Sequence, residues 1–293
     1  MNKMRLTLAV AAGLAVLSAP ALATNGMNME GYGPIAVGMG GASMAYDNGT
    51  AAVMNNPATL GAIADGAWRL DVAFGRLGPN VEANITTPMG ALSAESDATA
   101  FYMPALGLIT RRGSLTYGFG VFAQGGMGTE FSGTTWLADP SQGQNSSLTA
   151  GLMNRSEVSV GRFVVPVTYD VNPKLRIGAT ADLVWAGLDL KMAMSEGQFL
   201  DLATTQNAGT ASGSVLQAFG MMYEPFGGTG IQRVHHAYFD FSNDSDITGQ
   251  AKGAGFGAKI GAVYEVSEQL SLGATYHTKT AISDLETDEA TMA

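Results

Sequence analysis

The chain has 293 residues, 39 of them glycine and none cysteine, with 46% hydrophobic and 14% charged side chains and a formal net charge of −10. Without cysteine there is no disulfide framework or thiolate metal site, and without a basic stripe to displace counterions from phosphates there is no nucleic-acid partner to expect. The composition is too polar for a helical membrane protein and too rich in glycine for a helical soluble domain.

Residues 1–23 read as a secretory signal: Lys3 and Arg5 open it, an apolar core runs from Leu6 to Leu17, and Ala21-Leu22-Ala23 offers a small-residue cleavage site. That core is shorter than the roughly 18–20 apolar residues of a spanning helix, so the segment is a signal rather than an anchor, and the mature chain is expected to begin at Thr24. Thr24 to about Asp65 has many glycines and no strand-like alternation, and is expected to be compact, small-residue structure with a helical turn or two.

From Ala67 onward the pattern changes to period two, the spacing at which alternate side chains face opposite sides of a strand. The stretches are 67–77, 97–111, 115–124, 158–170, 174–194, 254–266 and 270–279. The clearest is the sixth, where Ala254, Phe256, Ala258, Ile260, Ala262, Tyr264 and Val266 share one face, and Gly253, Gly255, Gly257, Lys259, Gly261 and Glu265 the other. One face suits lipid and the other a wet interior, at about the 9–11 residues a tilted strand needs to cross a bilayer. Pro104 predicts a bulge or local break in pairing in the second stretch. The fourth slips phase near Gly161 and the fifth near Ala186-Gly187, which predicts a bulge or kink.

Short connections (111–114, 170–174, 266–269) alternate with long ones (78–96, 125–157, 195–252), the asymmetry of periplasmic turns and extracellular loops. The expected fold is therefore an all-β transmembrane antiparallel barrel over residues 66–293. Seven stretches are an odd count that leaves edges open in lipid, so the sequence is expected to be the N-terminal part of a larger barrel.

The order of these parts resembles the FadL/TodX family of outer-membrane transporters for long-chain fatty acids and other hydrophobic compounds. The residues that carry the resemblance are Gly38-Met39-Gly40-Gly41-Ala42, Asn56-Pro57-Ala58, the run from Gln124 to Phe131, and the Gly-rich hairpins ending in Ala274-Thr275-Tyr276. The resemblance implies a fourteen-stranded barrel, monomeric when full length, with residues 24–65 as an N-terminal hatch or plug that includes Gly38, Gly40, Gly41, Asn56, Pro57 and Ala58. It also implies a lateral gap at a kink in strand three, for which Gly118, Gly120, Gly125 and Gly126 are the candidate residues.

Bland readings stand beside these. Gly38-x-Gly40-Gly41 lacks the preceding strand and following lysine of a phosphate loop, and Asn56-Pro57 also starts ordinary turns. In the long region 195–250, Phe199, Leu202, Leu216, Phe219, Met221 and Met222 are either loop helices packed on one another or a greasy capture surface for alkyl chains. Arg69, Lys191, Lys259 and Lys279, read as inward-facing, are either partners for a ligand carboxylate or lumen charges paired with Asp71, Asp189 or Glu265. His235 and His236 diverge on a strand, and Asp284, Glu286, Asp288 and Glu289 lack the spacing of a cation loop, so no metal or cofactor is expected. The function expected is passive uptake of long-chain fatty acids or other hydrophobic small molecules through the outer membrane, without catalysis. The alternatives are a general porin or a surface adhesin on the same scaffold.

Overall fold

Side chains that alternate between apolar and small or polar favour extended backbone buried differently on its two faces, and each alternating stretch coincides with a strand, although the second strand begins only at Phe101 and the last ends at His277. The computed structural model describes residues 29, 31–88, 90–138, 152–197, 199–200, 221–222, 228–231, 233, 236–243, 245 and 248–292. The expected signal at 1–23 lies outside the described residues.

The long strands are β1 (Trp68–Leu77), β4 (Phe101–Arg112), β5 (Leu115–Phe131), β6 (Asn154–Asn172), β7 (Leu175–Ser195), β9 (Ala251–Ser267) and β10 (Leu270–His277). They pair antiparallel in chain order, β1-β4-β5-β6-β7-β9-β10. The connection 78–96 holds a hairpin of its own, β2 (Glu82–Thr87) with β3 (Gly90–Glu95). β8 (His236–Phe241) continues the sheet beyond β9 by pairing with the last turns of β7, from Leu190 to Ser195. Two short pieces finish the sheet: β11 (Ala281–Ile282) on β9 and β12 (Thr291–Met292) on β8. Among the described residues no helix is long and apolar enough to cross a membrane.

The two faces differ as the alternation requires. Trp68, Val72, Phe74, Phe256, Ile260 and Tyr276 are 62–72% exposed on the outer face, an apolar belt that water would not tolerate at this size. Rings meet across strands within the belt, with Phe74 on Tyr102 at 5.5 Å and Phe119 on Phe163 at 6.1 Å between centroids.

On the inner face lie the short helix α1 (Pro34–Gly38) and two 3₁₀ turns, Gly49–Val53 and Pro57–Ala62. Tyr32, Ala52, Val53, Met54 and Leu60 from this segment form the core together with Ile109, Phe122 and Val164 from the strands. The core is therefore made between an N-terminal segment and the wall, not between two sheets.

The break in pairing expected at Pro104 falls on one side of its strand: pairing with β5 ends at Ala105, while pairing with β1 runs on through Pro104, which lies opposite Phe74. Two other expectations need correction. The register of β6 with β7 runs unbroken past Gly161 and past Ala186-Gly187, as does that of β7 with β9 as far as Leu188, so neither place is a bulge. The irregularity belongs to β5, between Ala123 and Gly125 opposite Gly161 and Val160.

Candidate functional site

The Asn56-Pro57-Ala58 corner is built into the wall. The Asn56 side chain caps its own 3₁₀ turn by accepting from Ala58 N, and its Nδ2 donates to Met44 O at 2.7 Å and to Ala262 O of β9 at 3.1 Å. Thr168 of β6 donates to Pro57 O at 2.6 Å. Two wall glycines make room for this corner: a Cβ on Gly178 would lie 2.5 Å from Ala58 N and 2.6 Å from Pro57 C, and one on Gly261 would overlap the Asn56 amide. Gly38 ends α1, and Gly40 and Gly41 follow it with φ of 65° and 88°, left-handed values that favour glycine. The neighbouring Ile35, Val37 and Met39 are exposed.

The wall is interrupted at one level. β4 and β5 pair from Arg112/Leu115 as far as Ala105/Phe122 and then part, so that residues 123–129 of β5 have β6 as their one strand neighbour. Pro104 has no N–H to offer β5, which removes a ladder bond at the point of separation. The strands are tied again higher up, where Asp97 N donates to Glu130 O at 2.7 Å and Glu130 N to Ser96 Oγ at 3.0 Å. Within this interval Gln124 is the extra residue of the bulge. Of the glycines expected at a kink, Gly125 and Gly126 lie in it. Gly118 and Gly120 do not: they sit below, where Gly118 packs against the Leu108–Ile109 backbone and Gly120 against the Phe122 ring.

Above this level the polarity of the two faces inverts. Continuous register keeps residues two apart on one face, so Asp189 and Lys191 share the outer face with the exposed Ile177 and Leu183. There Arg155 pairs with Glu157 at 2.8 Å and Asp189 at 3.5 Å, and Lys191 with Asp240 at 3.7 Å. Gly249 passes over Gly187, and Asp189 accepts from Asn243 N and Gln250 N. Lys191 is therefore not inward-facing, because the change of pattern at Ala186-Gly187 leaves the strand's facing intact and changes only which face is apolar. The inner face at this height carries Met127, Val158, Val160, Leu188, Leu190 and Met192. Beside them Phe199, 1% exposed, packs with Met194, Ala237, Phe239 and Met292. Met221 and Met222 are exposed. Leu202, Leu216 and Phe219 lie outside the described residues, as does His235, while His236 begins β8.

The remaining cations are distributed unequally. Arg69 is closed by Asp47 at 3.0 Å and Asp71 at 2.9 Å. Lys279 is exposed in the short gap between β10 and β11, with no ion pair among the described residues. Lys259, with only 3% of its side chain exposed, pairs with the fully buried Asp182, and Arg162 shares that carboxylate at 3.0 Å. Arg162 also reaches Gln124 Oε1 and Thr280 Oγ1. Two cations on one anion leave the buried cluster with one surplus positive charge. Arg162 escaped sequence reasoning although its phase placed it on the inner face with Val164 and Thr168.

At the turn end, a polar cleft of about 600 Å³ is lined by Arg111, Asp170, Arg176 and Glu265. Arg111 there donates to Gly61 O and Ile63 O, fastening the end of the second 3₁₀ turn.

This architecture, a wall with an apolar outer belt and part of the N-terminal segment packed on its inner face, agrees with the sequence comparisons. The profile of the outer membrane protein transport proteins (OMPP1/FadL/TodX) matches residues 8–290. The chain belongs to the OMPP1/FadL/TodX family. Members of this family are outer-membrane β-barrel transporters of Gram-negative bacteria, a transport family and not an enzymatic one. The outer belt of this member is thus its lipid-facing surface.

Among solved structures, the Pseudomonas putida toluene transporter TodX matches with 28% identity and a TM-score of 0.72, over 90% of this chain and 59% of that one. The Ralstonia pickettii toluene transporter TbuX matches with 30% identity and a TM-score of 0.65, over 90% of this chain and 61% of that one. An uncharacterised Chlorobium limicola protein, encoded 5′ of a phosphoenolpyruvate carboxykinase gene, is 44% identical over 94 residues, which is 32% of this chain and 44% of that protein. The chain thus spans about three-fifths of the two structures and less than half of the curated relative.

Proposed function

We propose that this protein conducts hydrophobic small molecules, long-chain fatty acids or monoaromatic hydrocarbons, passively through the outer membrane. The observation that carries the reading is the inversion of polarity beside the wall break: the inner face becomes apolar at the height where β4 and β5 part. A greasy molecule captured at the loop end meets Met127, Val158 and Leu188 on the inside, and the interval 123–129 gives it a sideways route into lipid without crossing the polar interior. Residues 24–65 act as the plug, with Asn56-Pro57-Ala58 as its anchor, and the strands belong to a fourteen-stranded, monomeric barrel. Phe199, Met221 and Met222 contribute to capture. The surplus positive charge at Arg162 and Lys259 favours ligands with a carboxylate over neutral ones at that depth.

Bacteria lacking their own transporter, given the complete gene, should gain uptake of labelled oleate or labelled toluene, and the ratio of the two assigns the ligand class. Ion conductance in planar bilayers with no gain of either label would favour a general porin.

A further inference from the structure

The bulged residue of the wall break is held from inside by the N-terminal segment. Tyr32, 7% exposed, donates its hydroxyl to the backbone carbonyl of Gln124 at 3.0 Å. Gln124 is the residue skipped in the β5–β6 register, two residues beyond Phe122, the last residue of β5 that pairs with β4. The Tyr32 ring packs in the same core cluster as Phe122, Ile109 and Val164, the wall just below the break. Its backbone is clamped in turn: Tyr32 N donates to Asn55 Oδ1 and Asn55 Nδ2 donates back to Tyr32 O, both at 2.9 Å. Asn55 neighbours the corner that is bonded to β6 and β9, so a chain of contacts runs from that anchor through Tyr32 to the edge of the break.

We propose that Tyr32 is a positioning residue for transport: its hydroxyl fixes the bulge at Gln124 and thereby couples the seating of the N-terminal segment to the width of the break between β4 and β5. This rests on the transport reading above. A bulge sets a residue out of the regular ladder, and the Tyr32 hydroxyl is a contact that ties the Gln124 carbonyl to the N-terminal segment. When the segment shifts, Tyr32 shifts with it and the β5 side of the break follows. The phenol suits this task because it is a rigid lever with a single polar end, and burial pushes its pKa up to about 12, which keeps it a neutral donor.

The test uses Y32F, which keeps the ring and removes the hydroxyl, with Y46F as control, since the Tyr46 hydroxyl bonds within its own segment to Ala42 O. These 293 residues contain no cysteine, so with any cysteine elsewhere in the complete gene product replaced by serine, G126C can carry a single fluorophore on the outer side of the break; a Cβ there meets nothing closer than Val158 O at 3.5 Å. In the complete gene product, Y32F is expected to change quenching of that fluorophore by brominated-chain lipids and to lower the initial uptake rate about 3- to 10-fold, the factor one hydrogen bond supplies. Ligand affinity in detergent should change less than about twofold, since the hydroxyl acts on the exit and not on capture. Y46F should match the parent in each readout. Equal quenching and equal uptake in Y32F and the parent would overturn the proposal, and so would a Y32F chain that does not fold, which would make the hydroxyl a general stability contact. Loss of uptake in the parent itself would instead sink the transport reading and leave the quenching result standing.

Discussion

The seat of the Asn56-Pro57-Ala58 corner can be disturbed with a single methyl group. In G178A the new Cβ would stand 2.5 Å from Ala58 N, 2.6 Å from Pro57 C and 2.9 Å from Ala58 Cα. Ordinary contact begins near 3.5 Å, so the corner must retreat by about 1 Å, and because the obstacle is backbone no rotamer change relieves it. Overpacking of this kind costs about 1–3 kcal/mol. The retreat also stretches the Thr168 bond to Pro57 O and the Asn56 bond to Ala262 O, each worth about 0.5–1.5 kcal/mol net. The sum, about 2–6 kcal/mol against the seated segment, is enough to populate an unplugged state measurably. The assay is single-channel conductance of the complete gene product, with sensitivity of cells to a bulky polar antibiotic as the cellular counterpart. G178A should leak by both measures, whereas G38A, whose Cβ would meet nothing within 4 Å, should not. Equal conductance of G178A and the parent would refute the view that residues 24–65 block the pore from this seat.

Two further outcomes follow from the charge distribution. D182N leaves Arg162 and Lys259 buried with no opposing charge and should destabilise the refolded barrel by about 3–5 kcal/mol in urea unfolding followed by tryptophan fluorescence. K259M keeps the Arg162–Asp182 pair and should cost less than about 1.5 kcal/mol; equal losses would mean that the cluster is not organised around Asp182. For the inversion of the faces, fluorophores on L183C and K191C should behave oppositely: the first is quenched by brominated-chain lipids and the second by an aqueous quencher. Lipid quenching at both positions would place the apolar belt higher than the register implies.

The strands were legible because period-two alternation survives wherever one face meets lipid, and Ala254 to Val266 displays it with Val263 as the one apolar residue on the inner face. The facing of Lys191 was not legible. Alternation reports that two faces differ but not which medium each one meets, so an exchange of media partway up β7 looks the same in sequence as a one-residue slip. The true bulge, at Gln124, is followed by Gly125 and Gly126, which have no side chains with which to break a pattern. Gly178 and Gly261 were visible only as small inner-face residues; that they make room for a particular corner depends on Asn56, 122 and 205 positions earlier in the chain. The Tyr32–Gln124 bond spans 92 positions and joins a segment without periodicity to a strand, so no local signal announces it.

The central claim, that ligand leaves sideways between β4 and β5, is tested most directly by closing that interval. Tyr102 and Ala123 lie on the outer face on either side of it, as the pairing of their neighbours requires, and these 293 residues contain no cysteine to interfere. In Y102C/A123C, a reducible thiol cross-linker spanning the two strands should abolish uptake of the transported label, and reduction should restore it, while each single cysteine treated alike remains active. Undiminished uptake with the two strands quantitatively cross-linked would contradict the lateral route and require the molecule to pass the plug instead.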